Sequence, residues 1–86
     1  MSYRITNPAT AVIEREYELA TAAEIEDALA RAHAEYAVWS ARPLEERIPI
    51  IRRVAELYRE RRDELAEIIS REMGKPIAFG RGEVGI

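Results

Sequence analysis

Four groups of residues have types that could carry chemistry: His33, the run Gly80-Arg81-Gly82, Lys75 within Gly74-Lys75-Pro76, and the arginines between Arg47 and Arg62. Each is weak. His33 is the only histidine, and the chain has no cysteine. It therefore has no second soft ligand for a metal and no thiol nucleophile to activate. A histidine on a helix surface or half-buried in packing is the simpler reading. Gly80-Arg81-Gly82 resembles a fragment of a phosphate loop. It lacks the further glycine of GxGxxG, no strand precedes it, and no Lys-Ser/Thr pair follows. Lys75 just after a glycine reads as a charged helix C-terminus rather than as a lysine site.

The arginines Arg47, Arg52, Arg53, Arg59, Arg61 and Arg62 suggest a basic stripe. Glu45, Glu46, Glu56, Glu60 and Asp63 are interleaved with them. Arg52 with Glu56, Arg59 with Asp63, and Glu67 with Arg71 stand four apart, as helical ion pairs do. A solvated, mutually paired face is favoured over nucleic-acid binding. Tyr36, Trp39 and Tyr58 sit at core spacing rather than forming a base-stacking platform. No catalytic constellation emerges, so no catalytic, cofactor-binding or metal residue is assigned.

The totals bound the rest. Eighty-six residues make at most one small domain. A domain that small buries only roughly 60% of the surface of its unfolded chain. A hydrophobic content of 48% is ordinary for a folded protein. Thirteen basic and sixteen acidic side chains give a net charge of −3. That gives no bulk attraction to nucleic acid or anionic lipid. No apolar run reaches the ~20 residues of a membrane span. The first residues, MSYRITNPAT, lack the apolar core of a signal peptide. A soluble, cytoplasmic protein without membrane or nucleic-acid partners is expected.

The elements that would position these residues are legible in order. Tyr3 to Thr6 is rich in strand formers, and Asn7-Pro8-Ala9-Thr10 has turn chemistry. Alternation follows, with Glu14, Glu16 and Glu18 on one side and Ile13, Tyr17 and Leu19 on the other. Residues 1–20 thus form a β-hairpin or loose two-stranded ribbon, whose apolar face should lie on something. Thr21-Ala22-Ala23-Glu24 is a capping box. It opens a first helix over 21–42, with Ile25, Ala28, Leu29, Ala32, Tyr36 and Trp39 along one stripe. Arg42-Pro43 ends that helix.

A second helix, or a pair in series, covers 44–74. Its stripe runs through Leu44, Ile48, Ile51, Val54, Ala55, Tyr58, Leu65, Ile68, Ile69 and Met73. The short connection favours an antiparallel helical hairpin. Pro49 predicts a kink or a late start, because an interior proline costs ~3 kcal/mol. Gly74 followed by Lys75-Pro76 is a helix stop. Residues 75–86 hold three of the four glycines and read as a frayed tail.

The helix lengths do not match. An unbroken second helix would span ~44 Å, and the first covers ~30 Å. Leu65, Ile68, Ile69 and Met73 would hang beyond the pair. Burying such side chains is worth ~1.5–3 kcal/mol each. Either Asp63, with Glu64 and Glu67, caps a separate helix that folds back, or these four residues form an association surface. Their cover would be another chain or the remainder of a larger protein. Arg61 and Arg62 interrupt the stripe; they snorkel or meet an acidic partner.

In series, these segments resemble the amino-terminal part of the aldehyde dehydrogenase superfamily, most closely its succinate-semialdehyde dehydrogenase-like members. The residues that carry the resemblance are Asn7-Pro8-Ala9-Thr10 before a strand, then Ala22 to Ala32, and Trp39. Pro43-Leu44-Glu45-Glu46-Arg47, Arg52 to Leu57 and Glu72-Met73-Gly74-Lys75-Pro76 follow in order. The resemblance implies oxidation of aldehydes to carboxylates with NAD or NADP, through a cysteine thiohemiacetal and a glutamate base. It implies a much longer, usually oligomeric enzyme in which this region is an outer helical layer. The family's catalytic and cofactor residues lie downstream, so none is carried over, and Lys75 is not its cofactor-binding lysine. The chain departs from the family at Ala11-Val12, where Gly-Glu is frequent, at Pro49, and at Ala78-Phe79-Gly80.

Three readings result. The first is an amino-terminal fragment of such an oxidoreductase: a single partial domain, mainly α, that is inactive alone and holds no cofactor itself. The second is a free-standing helical module acting by self-association or by protein binding. Nucleic-acid binding is third.

Overall fold

The computed structural model describes residues 2–86. Its order is β1 (Tyr3–Thr6), β2 (Ile13–Tyr17), α1 (Ala22–Ala41), α2 (Leu44–Glu60), α3 (Arg62–Met73) and α4 (Ile77–Val84). The chain is mainly α with a short leading β-hairpin, as the sequence implies.

β1 and β2 pair antiparallel, with Tyr3 opposite Tyr17, Arg4 opposite Glu16, and Ile5 opposite Arg15. The register then slips so that Thr6 faces Ile13 and Glu14 is left over as a bulge. Asn7 organises the turn. Its Oδ1 accepts from the Ala9 amide at 2.9 Å, and its Nδ2 donates to the bulged Glu14 carboxylate at 2.9 Å. The Asn7 carbonyl accepts from Ala11 at 2.8 Å. Closing this loop puts Ala11 at φ 60°, in the left-handed region. A Cβ there costs roughly 1–2 kcal/mol. That is the position where the resembled family often has glycine. The ribbon's apolar side chains do not find the cover expected for them: Tyr3, Ile13, Tyr17 and Leu19 are all exposed.

The capping box at the start of α1 is present. The Glu24 amide donates to Thr21 Oγ1 at 3.2 Å, and the Thr21 amide donates to Glu24 Oε2 at 2.7 Å. Alanine content then carries α1 to Ala41. Arg42 and Pro43 are both extended, with ψ of 140° and 145°.

α2 begins at Leu44, so Pro49 neither delays the helix nor ends it. It stands in the second turn, where the Glu45 carbonyl loses its amide partner at the exposed surface. The break falls instead at Arg61, with φ −104° and ψ 19°. Asp63 does not cap the new helix; Arg61 occupies that position without a side-chain capping bond. The Arg61 amide still donates to Leu57 and its carbonyl accepts from Leu65, so the ladder persists on both sides.

The segment 75–86 is not frayed. Ile77–Val84 forms α4, started by Pro76, whose fixed φ suits a helix entrance. The helices that pack together are α3 and α4, and α2 touches α3 only near the break. The first and second helices do not close a hairpin on each other within the chain.

The molecule is 47 × 35 × 14 Å, with a radius of gyration of 17.4 Å. A compact chain of this length would have about 12 Å. Domains are ordinarily built from packed layers around a hydrophobic core; here, among the described residues, Ala66 is the only buried hydrophobic side chain.

Hydrogen bonds from Thr21 hold the Glu24 carboxyl below the usual carboxylate range. A depressed folded value means that its contribution is complete above the ordinary glutamate pKa. It is lost as pH falls through the lowered value. Acidification should therefore unwind the first turn of α1 before the rest, read as amide chemical shifts of residues 22–25. In Thr21→Ala the Glu24 titration should move back up; an unchanged titration would contradict the capping-box account.

Candidate association surface

The best-built part of the chain is the corner between α3 and α4. Ala66 is fully buried and is the only buried hydrophobic side chain among the described residues. Gly80 is buried opposite it. A Cβ on Gly80 would lie 3.3 Å from the Ala66 carbonyl oxygen, closer than packed atoms ordinarily come. The two small residues let the helix backbones approach.

Polar links ring this contact. Ser70 Oγ donates to the Lys75 carbonyl at 2.7 Å. Arg62 Nε donates to the Arg81 carbonyl at 2.9 Å, and Arg81 Nε donates to Asp63 at 2.8 Å. Lys75 pairs with Glu83. The residues that suggested chemistry are thereby accounted for. Gly80-Arg81-Gly82 lies inside α4 as a packing surface with an ion pair, which does not fit a nucleotide phosphate. Lys75 ties the connector to α4. His33 is exposed on α1. No group of three or more metal-ligating residues comes together among the described residues. Nor is any helix there long and apolar enough to cross a membrane.

Gly74 closes α3 in the left-handed conformation, φ 71°, and its amide donates to Ser70 at 2.9 Å. It has a second role that the sequence does not announce. A Cβ at Gly74 would lie 2.9 Å from Pro8 Cγ. The turn at the tip of the β-hairpin is seated on the C-terminus of α3.

The four residues expected to form an association surface fall apart into two places. Leu65 and Ile69 are half-buried. Leu65 lines a hollow with Val54, Leu57 and Tyr58 at the α2–α3 break. Ile68 is 43% exposed and Met73 is 78% exposed. Met73 joins Ala78, Phe79 and Ile86 along an open groove of about 980 Å³, rimmed by Lys75 and Glu83. Phe79 was not singled out from the sequence; its signal was the apolar run Ile77-Ala78-Phe79 after a helix-starting proline. More exposed apolar surface lies on α1 and α2. Leu29, Tyr36, Leu44 and Ile51 are open, and neither helix buries a residue.

The charged face is paired, but not as spacing alone suggests. Arg53 bridges Glu56 and Glu60. Arg61 grips Glu64 with two hydrogen bonds, 2.9 and 2.6 Å, and so holds that carboxyl below its usual range. Arg42 meets Glu46, and Arg31 meets Asp27. The pairs Arg52–Glu56, Arg59–Asp63 and Glu67–Arg71 do not form; Asp63 is taken by Arg81.

Comparison with known proteins extends this picture. The family model described as the aldehyde dehydrogenase family matches residues 1–86. A succinate-semialdehyde dehydrogenase [NADP(+)] of Deinococcus radiodurans is 40% identical over 84 residues, covering 98% of this chain and 18% of that protein. An N-succinylglutamate 5-semialdehyde dehydrogenase of Burkholderia lata is 42% identical over 78 residues, covering 91% of this chain and 16% of its own length. The solved structure of Gox0499, studied for cofactor and substrate selection, superposes over 100% of this chain. Its TM-score is 0.91 at 33% identity, and the chain covers 19% of it. The chain thus spans less than a fifth of the length of these relatives.

Two terms act at Gly74. Gly74→Ala should lower stability by about 1–2 kcal/mol from the left-handed backbone alone, with the Pro8 clash added. Urea unfolding measures the total. Combining it with Pro8→Ala should recover the clash part and leave the backbone part. Equal losses in both backgrounds would mean that the hairpin turn does not rest on α3.

Proposed function

The chain belongs to the aldehyde dehydrogenase family, and on that premise we propose that it is the amino-terminal helical layer of an NAD(P)-dependent enzyme that oxidises an aldehyde to a carboxylate. Its contribution is packing, not chemistry. The match of residues 1–86 to the family carries the reading, together with the near-absence of buried hydrophobic side chains among the described residues. Helices whose apolar stripes stay this exposed need cover, and a larger body would supply it.

The substrate class is a semialdehyde. Relatives named for succinate semialdehyde and for N-succinylglutamate 5-semialdehyde support this. NADP is the favoured nicotinamide, on the name of the Deinococcus radiodurans relative alone. The compartment is the cytoplasm, and the whole enzyme is an oligomer. Residues 1–86 make one partial domain, in which Leu65, Ile68, Ile69 and Met73 meet the remainder of the protein.

By itself the chain is inactive. Oxidising an aldehyde to an acid requires a nucleophile to convert the carbonyl into a tetrahedral adduct before hydride leaves. In the family that nucleophile is a thiolate, and this chain has no cysteine. Nor does any described carboxyl group stand in the buried setting that raises a general base toward neutral pH. Glu24 and Glu64 are both held below the usual carboxylate range, away from that of a general base.

The purified chain with succinate semialdehyde and NAD or NADP is expected to give no reduced nicotinamide. Grafted in place of the matching segment of the Deinococcus radiodurans enzyme, it should support aldehyde oxidation. Turnover by the chain alone would overturn the packing role. An insoluble or inactive graft would count against its being the equivalent layer.

A further inference from the structure

We draw no further inference here: the strongest candidate, the open groove beside α4 lined by Met73, Ala78, Phe79 and Ile86, belongs to the surface already assigned to the remainder of the enzyme, and nothing in the structure shows which segment covers it.

Discussion

The backbones of α3 and α4 come together only because Ala66 and Gly80 are small. A Cβ on Gly80 would press on the Ala66 carbonyl, and no other pair of helices in the chain has a comparable meeting point. The polar links that tie α3, its connector and α4 together collect around it: Arg62 to Arg81, Arg81 to Asp63, Ser70 to the Lys75 carbonyl, and Lys75 to Glu83. Pro8 rests on Gly74 at the end of the same corner. These ion pairs are exposed, and each is worth little alone. Their value is geometric, since they fix how α4 crosses α3.

Away from that corner the helices make few contacts with one another, and neither α1 nor α2 buries a residue. α1 is held by its capping box and its alanines, which are local terms. Most helical stability in proteins comes from packing an amphipathic face rather than from such local terms. The β-hairpin is below the size that is independently stable. The apolar stripes of α1 and α2 therefore await a partner, and this is the sense in which the chain is a part. Membership of the aldehyde dehydrogenase family agrees with it, because the relatives are more than five times longer.

Much of the fold could be read from residues whose effects are local. Thr21 and Glu24 announced the capping box, Asn7-Pro8 the turn, and Gly74 the helix stop. Where the reading failed, longer-range terms decided. Pro49 looked the stronger helix breaker than Arg61. Yet its penalty falls in the second turn, where a lost hydrogen bond faces water. Gly80 and Gly82 suggested a frayed tail, but Gly80 is the residue that packs best. The ion pairs were misassigned because long charged side chains find several partners of similar energy; Arg53 chose Glu56 and Glu60, and Asp63 went to Arg81. Of the expected surface, Leu65 lines the hollow at the α2–α3 break and Met73 the groove beside α4; the second of these depends on α4, whose existence the glycines concealed.

The central claim is that the Ala66–Gly80 contact governs the tertiary structure. Amide hydrogen exchange of Gly80→Leu tests it most directly. A leucine there cannot be accommodated without separating the helices. Protection in residues 62–84 should fall to the level of isolated helices, while amides of α1 exchange as before. Unchanged protection across α3 and α4 would contradict the account.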